Sequence, residues 1–263
     1  MLKHIFRFLV KILPDTMRKA IIREAGGTLS SEDLGDCMRQ LAQARSESLA
    51  PADALRFLFR LDGLLYALQG RHSVRYGNGV HSKKRHTKYH DFFINRIKKS
   101  EQVLDVGCGS GLLAFELGEK VGGEVLAIDL NPENIAQARQ RSELANVEYR
   151  VGDILEYADD KPFDVVILSN VLEHLPDRVE FLRRLITVTG TERLLLRVPL
   201  FERDWRVPLK KELRVEWRLD PTHETEYSQE SFSRELTAAG LTIAYQETRW
   251  GEIWAEAVPV LPK

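Results

Sequence analysis

From Glu101 onward, short apolar runs alternate with segments of helical apolar spacing, and this alternation constrains the fold most strongly. The run FDVVILSN is apolar almost throughout, as in a strand covered on both faces. Such a rhythm predicts a doubly wound α/β fold with a mostly parallel, seven-stranded sheet and helices on both faces. The predicted strands lie at 103–106, 124–130, 147–153, 163–170, 193–199, 241–248 and 252–260.

A glycine-rich turn joins the first predicted strand to its helix in VLDVGCGSGLLAFEL, residues 103–117. Gly107, Gly109 and Gly111 leave the backbone bare where ligands bind in open α/β sheets, at the carboxyl ends of the strands. The spacing departs from the dinucleotide fingerprint, which needs two residues between its second and third glycines. Asp129 ends the second strand, where a carboxylate can accept hydrogen bonds from both ribose hydroxyls. The sequence therefore predicts a site for a nucleoside-containing ligand.

The rest of the chain divides into segments of different character. Residues 1–70 predict an N-terminal helical extension, in which Ser31 caps one helix while another starts at Pro51 and stops at Gly70. Residues 71–100 form a basic lead-in that we expect to cap the ligand, and its stretch 71–99 carries nine Lys or Arg against one Asp. Residues 101–263 form the main domain, with an insertion at about 200–228 that is expected to act as a substrate lid.

Composition excludes several classes of protein. Hydrophobic residues make up 43% of the 263 residues and the formal net charge is -1, which argues against disorder. Two cysteines cannot form a disulfide framework, and this usage is typical of a reducing cytosol. No apolar run has the length of a membrane span. We therefore predict a cytoplasmic protein.

The first 13 residues carry Lys3, Arg7 and Lys11 at helical spacing on an otherwise apolar segment. Two interpretations stay open for this predicted helix. It packs on the main domain, or it lies on an anionic membrane surface and makes the protein peripheral to the inner face of the membrane.

Four segments together resemble the class I S-adenosylmethionine-dependent methyltransferases: VLDVGCGSG, IDLNPENIAQAR, VGDI and FDVVILSNVLEHLPD. The resemblance covers roughly residues 85 to 198. It implies that S-adenosylmethionine is the cofactor and that the glycine loop contacts its methionine part. It further implies cofactor contacts for the side chains or backbone of Asp105, Asp129, Leu130, Asp153, Ile154 and Asn170.

Four residues in this resemblance have competing interpretations. Asp105 and Asp153 are also residue types that cap helices and turns. Related enzymes use an upstream Arg or Tyr to hold the cofactor carboxylate, which points to Arg85 or Tyr89 unless these residues belong to a solvated basic face.

Histidines are the candidates for acid–base work. Methyl transfer to an aliphatic hydroxyl needs a group that removes the proton, and His174 and His223 both follow predicted strands on the substrate side. The LEH at 172–174 and the later histidine also resemble the metal-binding pattern of ubiquinone-pathway O-methyltransferases and small-RNA 2′-O-methyltransferases. That resemblance implies a divalent metal held by Glu173, His174 and His223, although Asn170 replaces the first acid of the pattern.

The acceptor is the least constrained part of the prediction. Trp205, Trp217 and several arginines of the insertion suit a sugar ring or an anionic group. We expect O-methylation of a hydroxyl on a sugar, a glycan intermediate or a small metabolite, with a phosphate-bearing or lipid-linked acceptor compatible with the basic segment. The alternatives are an RNA 2′-O-methyltransferase, whose basic segment would contact phosphates, and a non-catalytic cofactor-binding partner protein.

Overall fold

The computed structural model describes residues 14–141, 144–157 and 162–260, so the prediction for residues 1–13 lies outside the described residues. The chain divides into two compact units, Met1–Leu64 and Leu65–Lys263. In these described ranges, no helix combines the length and apolarity that crossing a membrane requires.

The first unit is helical, as the sequence predicts. Its helices are α1 (Asp15–Thr28), α2 (Ser31–Glu47) and the first part of α3 (Pro51–Tyr76). The side chain of Ser30 accepts from Asp33 N, so the predicted cap at Ser31 is wrong by one residue. The predicted stop at Gly70 is also wrong, because the helix continues for six more residues, to Tyr76.

The second unit contains the rest of α3 and then two short helices, α4 (Ser82–Thr87) and α5 (Tyr89–Ile94), which precede the sheet. The sheet then follows in β-α order. Its strands are β1 (Val103–Val106), β2 (Val125–Asp129), β3 (Val147–Val151), β4 (Val165–Ser169), β5 (Leu194–Pro199), β6 (Leu241–Arg249) and β7 (Glu252–Pro259). The helices among them are α6 (Leu112–Val121), α7 (Pro132–Arg141), α8 (Arg178–Thr189), α9 (Arg206–Glu212) and α10 (Gln229–Ala238).

The strand order is β3-β2-β1-β4-β5-β7-β6, with β7 antiparallel to both neighbours and the other pairs parallel. This confirms the doubly wound, mostly parallel seven-stranded sheet. Alternate residues of each strand pack on opposite faces, so Leu104 lies in one core cluster and Val103 in the other. β1 lies between β2 and β4, so the direction of winding reverses at β1 and β4, and the crevice that binds ligands in such folds opens at their carboxyl ends.

Candidate active site

The glycine loop after β1 has a backbone that only glycine adopts without strain. Gly107, Gly109 and Gly111 have φ of 67°, 54° and 72°. A Cβ at Gly107 would lie 2.8 Å from Cγ2 of Val171, and one at Gly111 would lie 2.6 Å from Cβ of Ala138. A Cβ at Gly109 would meet nothing within 4 Å. The first and third glycines therefore allow close packing, whereas the middle one borders open space.

Asp129 faces this loop. Its Oδ2 accepts from the backbone N of Gly109 at 2.8 Å, while Oδ1 accepts from Asn131 N at 2.8 Å and from the amide of Asn134 at 3.1 Å. The next residue, Leu130, is 72% exposed although it is a large aliphatic side chain. A carboxylate and an exposed apolar surface thus lie side by side at the end of β2, as a ribose and its base require.

Asp105 is the buried acid of the site. Its side chain is 2% exposed, and among the described residues Oδ2 has no hydrogen-bond partner. Burial, and secondarily the charge of Asp129, raises the pKa of Asp105 to about 7. An orphaned carboxyl oxygen at the end of a strand that leads into a bare turn fits a bound cationic group, such as the amino group that the resemblance implies.

This burial makes the stability of the cofactor-free protein depend on pH. The pKa of Asp105 is raised on folding, so its stabilising contribution is present below about pH 4 and is lost as the pH rises toward 7. Asp105→Asn should remove this loss, so its stability relative to the wild type should increase by about 2 kcal/mol between pH 5.5 and pH 8. Urea unfolding at the two pH values measures it. Asp177→Asn, at an exposed acid, should keep the wild-type pH dependence, and an identical response of the two variants would contradict the assignment.

Three further cofactor candidates, Asp153, Ile154 and Asn170, have contacts within the protein. The side chain of Asp153 accepts from Leu155 N at 2.9 Å and so caps a short 3₁₀ turn, and Ile154 is buried in the core. Asn170 has a positive φ of 59°, and its backbone N donates to Arg197 O at 2.8 Å. Their contacts with the cofactor stay predictions.

A buried ionic network joins the segment before β1 to the sheet. Arg197 of β5 donates two hydrogen bonds of 2.7 Å to Glu252 of β7, and Lys83 of α4 lies 2.5 Å from the same carboxylate. Tyr89 packs its ring under the Arg197 guanidinium at 3.8 Å, and burial raises its pKa. Arg85, the other predicted partner of the cofactor carboxylate, has its guanidinium 5.7 Å from the Tyr76 ring centroid, and its contact with the cofactor stays a prediction.

The three predicted metal ligands come together. Glu173, His174 and His223 each offer a ligand atom within 4.8 Å of the other two, and the histidine rings meet edge to face at 4.6 Å. Glu173 is fully buried, and its Oε2 lacks a hydrogen-bond partner within the described part of the chain. Burial raises the pKa of Glu173. The hydrogen bond of 2.6 Å that its Oε1 accepts from Asn170 acts in the opposite direction but does not outweigh burial.

Each histidine is oriented through Nδ1. The Nδ1 of His174 lies 3.0 Å from the Thr222 hydroxyl, and the Nδ1 of His223 lies 3.3 Å from Oε1 of Glu226. This leaves the two Nε2 atoms for a proton or a cation. Burial, followed by the neighbouring His223, lowers the pKa of His174, so its imidazole is neutral at pH 7.

Glu226 is a residue of this site that the sequence analysis missed. It is 6% exposed, forms an ion pair with Arg203 and accepts a hydrogen bond from the backbone N of Leu219. Its position three residues after His223 was the available signal, but a loop offers no periodicity that would show which way it points.

The β4 loop that carries His174 also touches the glycine loop. Val171 contacts the position of Gly107, as described above, and its carbonyl accepts from His174 N at 3.0 Å. The backbone of Glu173 also accepts from Glu224 N at 2.8 Å, which brings the lid loop with His223 to the same place. The predicted ligand turn and the predicted histidine pair therefore form one continuous site at the switch point of the sheet.

Residues 97–239 match a family model described as a methyltransferase domain, which covers more than half of the chain. The chain therefore belongs to the methyltransferase domain family, and its fold and glycine loop are those of the class I S-adenosylmethionine-dependent members.

Similar proteins agree with this family. The chain is 33% identical over 159 residues to the ubiquinone biosynthesis O-methyltransferase of Methylocella silvestris, covering 56% of this chain and 62% of the relative. It is 43% identical over 86 residues to that of Xanthomonas campestris pv. campestris, covering 31% and 36%. The matches thus span less than two thirds of these curated relatives.

Among solved structures, the magnesium protoporphyrin IX methyltransferase of Synechocystis PCC 6803 with bound SAH superposes with a TM-score of 0.53 at 19% identity. The superposition covers 66% of this chain and 83% of that one. At this identity the likeness supports the fold.

Proposed function

We propose that the protein transfers the methyl group of S-adenosylmethionine to a hydroxyl of a sugar, glycan intermediate or small metabolite. The observation that carries the proposal is the pair of histidines, His174 and His223, whose rings meet edge to face on loops beside a bare glycine turn that faces Asp129. The turn and Asp129 suit the cofactor, and the histidines suit an acceptor that must lose a proton.

The residues around the turn bind different parts of the cofactor. Asp129 accepts from the ribose hydroxyls, Leu130 covers the adenine, and Asp105 compensates the amino group. Gly109 lets the ligand approach the backbone. The bound cofactor supplies a methyl group already activated by its sulfonium, so the protein mainly has to align donor and acceptor, which is worth roughly 7–11 kcal/mol of a barrier.

A histidine then takes the proton of the acceptor hydroxyl. We assign this role to His223, which is buried with its Nδ1 beside Glu226, while His174 is exposed. General-base assistance of this kind contributes about 10²–10⁴-fold.

The same cluster fits a divalent cation. Two imidazoles and a carboxylate are a donor set suited to such ions, and the orphaned oxygen of Glu173 gains a partner when one is bound. A cation held there would lower the pKa of the acceptor hydroxyl. Loss of activity on chelation, restored by Mn²⁺ or Mg²⁺, would support this role, whereas full activity after chelation would assign deprotonation to the histidines alone.

The lid, residues 200–228, favours a polar acceptor, and three of its four arginines are already paired. Arg203 pairs with Glu226, Arg206 with Asp204, and Arg218 with Glu216. Trp205 is 73% exposed, and an exposed indole suits the apolar face of a sugar ring. Exposed aromatic surface is therefore the main feature that the lid offers to an acceptor.

A screen of acceptors with labelled S-adenosylmethionine tests the proposal. The panel contains free sugars, sugar phosphates, lipid-linked glycans, catechols and short RNA, and we expect label in the glycan or sugar arms. Label in RNA, with affinity that falls steeply with salt, would select the RNA alternative. Calorimetry with S-adenosylhomocysteine is the companion measurement, because absent binding would remove the methyltransferase proposal altogether. A lipid-linked arm that needs vesicles would support contact with a membrane through residues 1–13.

A further inference from the structure

A concave site is lined by residues of α4, α5 and α6. It is a cavity of about 450 Å³ within the second unit. The glycine loop, Asp129 and the histidine cluster are not among the described residues that line it. Its volume falls in the usual range of small-molecule sites, so it has room for more than a simple ion.

The charged side chains that line this cavity are mostly basic. Lys84, Arg85, Lys88 and Lys120 face it together with two acids, Glu116 and Asp91. Three of these cations are exposed at the wall of the cavity: Arg85, Lys88 and Lys120. Within residues 14–141, 144–157 and 162–260, none of the three forms an ion pair. Free cations gathered around one cavity are the usual recognition chemistry of phosphate.

The charge of Glu116 is compensated from within the protein. Lys84 forms an ion pair with its Oε1, and the Nδ1 of His90 lies 2.7 Å from its Oε2. Burial raises the pKa of Glu116, but the hydrogen bonds from Lys84 and His90 outweigh it and lower the pKa. Burial lowers the pKa of His90 to about 4, so this histidine adds no charge near neutral pH. Arg85, Lys88 and Lys120 then stand against Asp91 alone, which leaves two positive charges for a ligand.

We propose that this cavity binds the phosphate group of a small phosphorylated molecule, with Arg85 and Lys88 as its principal contacts. A phosphate monoester carries nearly two negative charges at pH 7, which matches the uncompensated charge of the wall. The remaining volume accommodates the group that carries the phosphate. The lining residues include neither Asp129 nor a histidine of the predicted metal cluster, so the proposal does not depend on the methyl acceptor being a sugar.

Calorimetry on the full chain at low ionic strength, in a buffer free of phosphate, tests this proposal. The probes are inorganic phosphate and glucose 1-phosphate, with citrate as an anion of different geometry. We expect both phosphates to bind and citrate to bind at least about tenfold more weakly. The double variant Arg85→Ala/Lys88→Ala should lose at least about tenfold in affinity for glucose 1-phosphate, because charge-assisted hydrogen bonds are lost. Lys99→Ala, which removes an exposed charge outside the cavity, should bind as the wild type does.

The cofactor provides the decisive comparison. Saturation with S-adenosylhomocysteine should leave the affinity for glucose 1-phosphate unchanged, and Lys88→Ala, at a residue outside the predicted cofactor contacts, should bind S-adenosylhomocysteine normally. Competition between the two ligands would place the cofactor carboxylate in this cavity and overturn the proposal. Equal binding of citrate, or unaltered binding by the double variant, would also overturn it. Circular dichroism and thermal unfolding confirm that the variants are folded.

Discussion

His223→Ala is expected to slow methyl transfer by about 10²–10⁴-fold while the affinity for S-adenosylhomocysteine stays within about twofold of the wild type. The reason is spatial. His223 belongs to the cluster with Glu173 and His174, and its Nδ1 is held by Glu226, whereas the cofactor candidates lie on the glycine loop and at the end of β2. Single-turnover transfer of labelled methyl to the acceptor found in the screen measures the first quantity, and calorimetry measures the second.

Because His223 is buried, a truncated side chain leaves a space in the interior and removes one of the three partners of Glu226, so stability needs its own control. His223→Asn keeps a polar group there and should be as slow as the alanine variant. His72→Ala, at an exposed histidine of α3, should be fully active. A large loss of cofactor affinity in His223→Ala would refute the role of this residue as a base.

Gly109→Arg is expected to abolish measurable binding of S-adenosylhomocysteine. The Cβ position of Gly109 points into open space at the turn, so an arginine side chain extends into the pocket instead of disturbing the core. Its φ of 54° adds a backbone cost of about 1–2 kcal/mol for any residue with a Cβ. Calorimetry measures the loss directly.

Gly122→Arg separates these two effects. Gly122, which ends α6, also has a positive φ, 70°, and a Cβ there meets nothing within 4 Å. It therefore receives the same side chain, charge and backbone strain at a place outside the pocket. This variant should bind S-adenosylhomocysteine normally, and equal losses in the two variants would mean that strain, rather than the filled pocket, explains the result.

The sheet could be predicted because its signals are local. A strand buried on both faces, such as β4, needs a continuous apolar run. The start of a helix such as α7 is marked by Asn131 followed by Pro132. The glycine loop was equally readable, since three positive φ angles and two close approaches leave little choice of residue.

Local signals failed where the outcome depends on distant partners. Gly70 looked like a helix stop, but a glycine ends a helix only when the backbone can turn there, and α3 continues to Tyr76. Arg203 of the lid looked free for a ligand, yet its partner Glu226 lies 23 residues further along the chain and meets it only in the folded lid. Glu226 was missed for the same reason.

The two loops that carry the histidines are joined through main-chain atoms. The carbonyl oxygen of Glu173 accepts hydrogen bonds from the backbone N of Glu224 at 2.8 Å and of Thr225 at 3.3 Å. Amide and carbonyl groups persist whatever side chain a residue bears. Substitution of either histidine therefore leaves the hydrogen bonds between the two loops in place. The catalytic side chains of such a site can change while its backbone stays the same.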